Sequence, residues 1–142
     1  MKDIFVDDCV AVRLENPVDE KLKSFLEWLW RHGTLVVTNK ILVEYGASLD
    51  AGSSNFFVIL NECIKHERIL KIDNDQLKAL RFSKRVERSL LSNRKDWWHI
   101  KAVLLSPRKL ALSFDNNFLR DVNGFPGAAA RASRSPDDLP YK

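Results

Sequence analysis

The chain has 142 residues, of which 45% are hydrophobic, and a formal net charge of +4. This length predicts one domain, and no apolar run approaches the roughly 18 residues of a membrane-spanning helix. The N-terminal residues lack the long apolar stretch of a signal peptide, so we expect a cytoplasmic protein with no membrane partner. Cys9 and Cys63 form no CxxC pair, which argues against a zinc site and a disulfide framework. The positive charge favours an anionic partner only weakly, because many cytosolic proteins are as basic.

Short apolar runs alternate with helical patterns along most of the chain. Four runs are predicted as buried strands: residues 4–6, 35–37, 69–72 and 110–112. The segments between them have helical spacing, with helices predicted at 17–32, 39–49, 57–64, 76–92 and 96–105 and a Gly-, Ser- and Asp-rich loop at 50–54. Strands that alternate with helices predict βαβ units, hence an α/β fold with a parallel sheet of about four strands.

The alternating pattern ends near residue 121. Residues 123–142 are dominated by Pro, Gly, Ala, Ser and charged residues. This composition predicts a loosely ordered C-terminal tail after a folded domain of residues 1–122.

Acidic residues stand where predicted strands end and where predicted helices begin. Asp7, Asp73 and Asp115 follow strands, whereas Glu44 and Asp96 lie in early helical turns. In a parallel sheet the carboxyl ends of the strands and the N-termini of the following helices share one edge, so several of these acids are expected to converge. Converging carboxylates repel one another unless a cation is bound, and oxygen ligands select Mg²⁺ or Mn²⁺. The sequence thus predicts a metal site that activates water.

A plainer role is open to each of these acids, because Asp at a strand end is common as a turn or helix-cap residue. Asp73, which begins Asp73-Asn74-Asp75, is assigned to that role as a helix N-cap. No GxSxG motif, P-loop or spaced Cys/His pair offers another chemistry.

Four short motifs resemble, in order, those of the PIN-domain nucleases, and they span residues 4–118. The first is an apolar strand closed by Asp, Ile4-Phe5-Val6-Asp7, and the second is a Glu on the helix after the second strand, in Ile41-Leu42-Val43-Glu44-Tyr45. The third is an Asp that opens a later helix, in Asp96-Trp97-Trp98-His99-Ile100. The fourth is a hydroxyl residue two positions before a final Asp, in Ser113-Phe114-Asp115. Phe118 also lies where that family usually has an aromatic residue.

The resemblance implies a PIN-like three-layer α/β/α fold and a metal-dependent ribonuclease, in which Mg²⁺ or Mn²⁺ activates water. It implies a catalytic cluster of four acids, Asp7, Glu44, Asp96 and Asp115, which Ser113 supports. Of these, it implies Asp7, Asp96 and Asp115 as metal ligands. Many small stand-alone proteins of this family are toxins held inactive by an antitoxin, and many are dimers. The implied partners are therefore RNA, an antitoxin or other regulatory protein, and a second copy of the chain.

The chain departs from the family after the first and last Asp of the motifs. Asp8-Cys9 stands where the family favours Ser or Thr and then Asn, and Asn117 stands where a further acid is often found. Asp8 is an alternative first ligand, although strand alternation directs Asp7 and Asp8 differently. The amide of Asn117 carries no charge and binds a cation more weakly than a carboxylate. These departures support an alternative function, a catalytically weak PIN-like module that binds RNA or protein.

His99 follows Asp96 by three residues and lies on nearly the same helix face. One role for it is contact with the scissile phosphate or proton transfer. The alternatives are a histidine that orients a metal ligand and a histidine at the surface.

Residues 78–95, called the basic segment below, carry seven cations and a single acid, Glu87. The cations are Lys78, Arg81, Lys84, Arg85, Arg88, Arg94 and Lys95. Because the segment directly precedes Asp96, we expect it to guide an RNA backbone to the acid cluster. The alternative is a solvated helix face.

The four tryptophans exceed what a core of this size needs: Trp28, Trp30, Trp97 and Trp98. Stacking on unpaired bases and contact with another subunit are two roles for them besides core packing.

Overall fold

The computed structural model describes residues 1–50 and 54–142. Its centre is a five-stranded sheet in the order β3-β2-β1-β4-β5, and every neighbouring pair is parallel. The strands are β1 (Asp3–Val6), β2 (Thr34–Val37), β3 (Ile69–Lys71), β4 (Leu110–Leu112) and β5 (Arg131–Ser133). Every residue of β1, β2 and β4 is buried, which explains why these strands have continuous apolar runs in the sequence.

Helices cover both faces of the sheet. They are α1 (Asp8–Arg13), α2 (Glu20–Arg31), α3 (Asn39–Ser48), α4 (Asn55–Lys65), α5 (Asn74–Ala79), α6 (Lys84–Ser89), α7 (Trp97–Leu105) and α8 (Asn116–Asn123), with short 3₁₀ helices at Arg94–Asp96 and Pro136–Asp138. With right-handed crossovers, the helices before β2 and β3 cover one face and those before β4 and β5 the other. Accordingly, α2 packs on α4, and α7 packs on α5 and α8. The predicted α/β architecture with a parallel sheet is confirmed.

The expectation of a loosely ordered tail over residues 123–142 is wrong. Residues of β5 pair with the edge of β4, and Tyr141, only 3% exposed, packs edge-on against Phe25 and Trp28. The sheet therefore has five strands, one more than expected. This strand was not predicted because its own residues show no apolar periodicity. It forms because its backbone pairs with the free edge of β4.

Two predicted helices also have different bounds in the structure, and one helix was not predicted. The single helix expected over 76–92 is two short helices, α5 and α6, so the residues of this stretch do not share one helical face. Helix α2 begins after the N-cap Asp19 and not at Asn16-Pro17. Helix α1 was not predicted, since it is short and buries only Val10 and Ala11. The loop predicted at 50–54 lies mostly outside the described residues.

Within the described ranges, none of the helices is both long enough and apolar enough to cross a bilayer.

The strand order sets the place of a binding site. From β1 the chain proceeds to β2 and β3 on one side, and it later returns to β4 and β5 on the other side. The loops after β1 and β4 therefore leave in opposite directions and open a crevice at the carboxyl edge of the sheet, where open α/β sheets bind ligands.

Candidate active site

A cavity of about 180 Å³ opens at this switch point in the strand order. It is lined by Asp7, Asp8, Cys9, Glu44, Asp96, His99, Asp115 and Phe118. Asp7 follows β1 and Asp115 follows β4, while Glu44 is carried by α3 and Asp96 precedes α7. The structure thus brings the four acids of the predicted cluster to one cavity. We call it the acid cavity.

Asp7 is held by two hydrogen bonds at the end of β1. Its Oδ1 accepts from the Asp8 backbone N–H at 2.9 Å, and its Oδ2 accepts from the Ser113 hydroxyl at 2.7 Å. Burial raises the pKa of Asp7, and the charge of Asp8 adds to this increase. The hydrogen bond from Ser113 lowers that pKa but does not offset the burial.

Ser113 joins the first and last acids of the cluster. Its buried hydroxyl donates to Asp7 and accepts from the backbone N–H of Asp115 at 3.0 Å. Asp115 in turn caps α8, because its Oδ1 accepts from the backbone N–H groups of Asn117 and Phe118. The cap role expected as an alternative is therefore real for Asp7 and Asp115, and both line the acid cavity as well.

His99 and Glu44 form the second half of the cavity. The His99 side chain is 4% exposed, and its Nε2 lies 2.6 Å from Glu44 Oε2, so the surface alternative for His99 is wrong. Burial raises the pKa of Glu44, but the hydrogen bond and charge of His99 and the ammonium groups of Lys40 and Lys95 outweigh it, and this pKa is lowered. Glu44 therefore keeps its charge at neutral pH.

The comparisons with known proteins rest on structure alone. No family profile matches the sequence, and no curated protein matches it either. The chain superposes on a solved structure, VapBC2 from Rickettsia felis bound to a DNA fragment from their promoter, with a TM-score of 0.54. The match covers 94% of this chain and 98% of that chain at 16% identity. The fold is PIN-like. At this level of identity the likeness concerns the fold alone.

The donor set of the acid cavity fits a divalent cation. Glu44, Asp96 and His99 each present a ligand atom, and these three atoms lie within 4.8 Å of one another. Asp7 and Asp115 line the same cavity and add carboxylate oxygens. Oxygen ligands suit Mg²⁺ and Mn²⁺, and the imidazole nitrogen favours Mn²⁺ of the two. Burial and the charge of Asp8 raise the pKa of Asp7, and a bound cation would offset both effects.

The remaining supporting residues have different positions. Asp8 begins α1, lines the cavity and accepts a hydrogen bond from Ser48 Oγ at 2.7 Å. Asn117 is exposed in the first turn of α8 and does not line the cavity. Its backbone, and not its amide, contacts Asp115.

Two residues near the acids were missed by the sequence analysis. Tyr45 is fully buried, and its hydroxyl donates to the backbone carbonyl of Val6, which ties α3 to the end of β1 beside Asp7. The Lys40 ammonium contacts the backbone carbonyl of Lys95 and so joins α3 to the segment before α7. Tyr45 follows Glu44 in the second motif, but the sequence alone does not show that its hydroxyl has a partner at the end of β1.

The basic segment is exposed but is not one helical face. Lys78 lies on α5, whereas Arg85 and Arg88 lie on α6, so the basic residues belong to two separate helices. Lys95 lies close enough to the acid cavity to lower the pKa of Glu44. The RNA contact expected of this segment remains a prediction.

Proposed function

We propose that this chain is a metal-dependent ribonuclease that hydrolyses RNA phosphodiester bonds at the acid cavity. The observation that carries the proposal is the meeting of four carboxylates and a buried histidine in one cavity at the switch point of a PIN-like sheet. Mg²⁺ or Mn²⁺ is the proposed cofactor, because carboxylate oxygens are ligands that suit both ions.

Each acid has a distinct place in the proposed mechanism. Asp7, Asp96 and Asp115 would hold the cation, and the hydrogen bond from Ser113 fixes the carboxylate of Asp7. A bound divalent cation supplies charge for the transferring phosphate and lowers the pKa of water. Glu44, ionised and aligned by His99, accepts a hydrogen bond from the attacking water and orients it.

The likeness to VapBC2 supports a further part of the proposal, which concerns partners. We propose that the chain is the toxin of a toxin–antitoxin pair, and that an antitoxin or other regulatory protein is its partner. A homodimer is also proposed. Co-purification with the product of a neighbouring gene, and the mass of the purified chain in solution, test these two assignments.

The decisive experiment compares the purified protein with its Asp96→Asn and Asp115→Asn variants on defined RNAs in Mg²⁺ and Mn²⁺. Cleavage is expected to fall by more than about 100-fold, the upper end of what substitution of outer ligand partners costs. Folding should persist, because Asn preserves the cap at Asp115 and removal of one charge relieves repulsion. Circular dichroism and the unfolding midpoint check this point.

The matched control is Asp75→Asn, which removes a carboxylate from the exposed first turn of α5. This variant should cleave RNA like the wild type. Full activity in either cavity variant, after contaminating nuclease has been excluded, would refute the proposed mechanism.

A second candidate function is favoured by Asn117 and by Asp8-Cys9, which differ from the family pattern. It is a PIN-like module that binds RNA or protein with weak catalysis. RNA binding by the wild type without any metal-dependent cleavage would support this second function over the first.

A further inference from the structure

A second concavity, of about 460 Å³, lies beside the acid cavity and is called the side groove. Its lining residues are Asn39, Lys40, Val43, Asn74, Lys95 and Trp98. Although polar residues contribute to it, the surface that faces the groove is mostly apolar carbon. Its volume lies in the range of about 300–1,000 Å³ that is usual for small-ligand sites.

The side groove and the acid cavity are built from adjacent residues of the same elements. In α3, Val43 faces the groove and Glu44 faces the acids. At the start of α7, Trp98 lines the groove, while Asp96 and His99 line the acid cavity. A polymer that places one phosphate at the acids can therefore place an adjoining unit of its chain at the side groove.

The chemistry of the groove suits a nucleobase. Trp98 is half-buried, so part of its ring is accessible, and Val43 is 71% exposed and gives a second apolar surface. Asn39 and Asn74 carry amides that hydrogen-bond the edges of a base. Aromatic platforms beside positive charge are the usual means of binding single-stranded nucleic acid.

Positive charge distinguishes an RNA base from an apolar protein anchor as the occupant. Lys40 and Lys95 line the groove, and the Lys40 ammonium reaches the Lys95 carbonyl across it. Both ammonium groups also lower the pKa of Glu44, so they lie near enough to the acid cavity to act on its charge. A phosphate that joins a base in the groove to the scissile group passes these two cations.

We propose that the side groove is a base-binding subsite, in which Trp98 stacks on an unpaired base next to the scissile phosphate while Lys40 and Lys95 contact the backbone. This inference rests on the proposed ribonuclease function and adds a substrate requirement to it: the RNA must be single-stranded at the cut site. The base itself is recognised chiefly by stacking, so sequence preference at this position is weak.

The test measures the affinity of a labelled single-stranded RNA in the Asp115→Asn background, which blocks cleavage and changes no groove residue. Trp98→Ala is expected to weaken binding about tenfold, as alanine substitution of a stacking aromatic does. Trp98→Phe should restore most of the affinity. The RNA is also prepared as a series in which each base in turn is replaced by an abasic site.

One abasic position should weaken binding to the protein that retains Trp98 and have no further effect in Trp98→Ala. This second measurement leaves the protein fold untouched. The control is Trp30→Ala, which removes another partly exposed tryptophan, 39% accessible and carried by α2, outside both concavities. RNA affinity should not change in this control.

Two outcomes would overturn the subsite. Full RNA affinity in Trp98→Ala would mean that no base stacks in the groove, and an apolar side chain of a partner protein would then be its occupant. An abasic effect of equal size with and without the Trp98 ring would place the base elsewhere. Failure of the ribonuclease proposal gives a different result. If the abasic effect depends on Trp98 but the wild-type protein never cleaves RNA, the base-binding subsite is supported and the ribonuclease function is refuted.

Discussion

At the scale of single residues, Asp7 and Asp115 serve the backbone and the cavity together. Each follows a strand and caps the helix that begins there, because the free N–H groups of a helix start need an acceptor. Their positions at the carboxyl edge are therefore set by the strand-to-helix turns. This explains why the predicted strand ends were enough to locate these two acids at the carboxyl edge of the sheet.

Other parts of the site depended on contacts between distant residues and were not predictable. Glu44 and His99 are 55 positions apart, and only the fold, which brings these two side chains of α3 and α7 together at the carboxyl edge of the sheet, reveals that they form a pair. The same holds for Ser113, whose bond to Asp7 spans 106 positions. The sequence indicated which residues share an edge, but not which side chains are buried there or which atoms meet.

Asp7→Asn is expected to stabilise the fold at pH 7 in the absence of divalent cations. Burial raises the pKa of Asp7 above its ordinary value of 3.8, so the folded state binds this proton more tightly than the unfolded chain does. The free energy of unfolding of the wild type therefore falls as the pH rises from the ordinary pKa of Asp7 to its raised pKa in the folded state. The Asn variant has no ionisable group at this position, so it does not lose this stability. Urea unfolding of both proteins from pH 3 to pH 8, in the presence of a chelator, measures the difference.

The gain from Asp7→Asn should shrink on acidification and vanish below the ordinary pKa, where the carboxyl is protonated in both states. Lower stability of the variant at pH 7 would contradict the assignment of Asp7 as a buried, charge-resisting carboxylate. With Mn²⁺ present the order should reverse, since a cation bound by Asp7 stabilises only the wild type.

At the scale of elements, strands were easier to predict than helices. A strand buried on both faces has a continuous apolar run, as in β1 and β2, whereas the short helices of residues 74–89 expose most of their surface and have no apolar stripe. The local signal for their separation was Ser83, which accepts from the Val86 backbone N–H as the N-cap of α6. A polar residue inside a helical pattern is too common to be decisive alone.

Replacement of Arg81, Arg85 and Arg88 by Ala should weaken RNA binding for all sequences alike. These side chains are exposed in the basic segment ahead of Asp96, where they can neutralise backbone phosphates. Each lost phosphate contact reduces the slope of log K against log salt by about 0.7 for a single strand, so the slope should fall by as much as about 2. Titration of labelled RNA at several salt concentrations gives this slope.

The control for the arginine triple carries the same change in charge on the other face of the sheet, at Lys21, Lys23 and Arg31 of α2. Its salt slope should equal that of the wild type. If the two triples behave alike, the basic segment is a solvated surface and RNA enters by another path.

At the scale of the whole molecule, the C-terminal residues complete the core and support the site. Arg108 joins the chain ends, since its Nε donates to the Asp3 carbonyl at 3.1 Å and its Nη2 to the Tyr141 carbonyl at 2.9 Å. Beside the cavity, the Ser113 backbone N–H donates to the Ser133 carbonyl at 3.1 Å. The segment expected to be loose thus holds the serine that positions Asp7.

Tyr141→Ala should lower the free energy of unfolding by about 3 kcal/mol, the lower end for deletion of a buried aromatic ring. The ring lies 4.9 Å from that of Trp28 and 5.2 Å from that of Phe25, so its loss leaves a cavity between α2 and the tail. Tyr141→Phe is the control, because it keeps the ring and should unfold like the wild type. Urea unfolding followed by tryptophan fluorescence measures all three proteins.

Truncation after residue 122 extends this test to the domain boundary predicted from the sequence. Without β5 the edge of β4 loses its backbone partner, Phe25 and Trp28 lose their cover, and Ser113 loses the bond from its N–H to Ser133. The truncated chain should therefore unfold at lower urea than Tyr141→Ala and lose metal-dependent cleavage with it. If the truncated chain unfolds at the same urea concentration as the full chain, the domain boundary predicted at residue 122 is correct. Residues 123–142 would then contribute nothing to the stability of the domain.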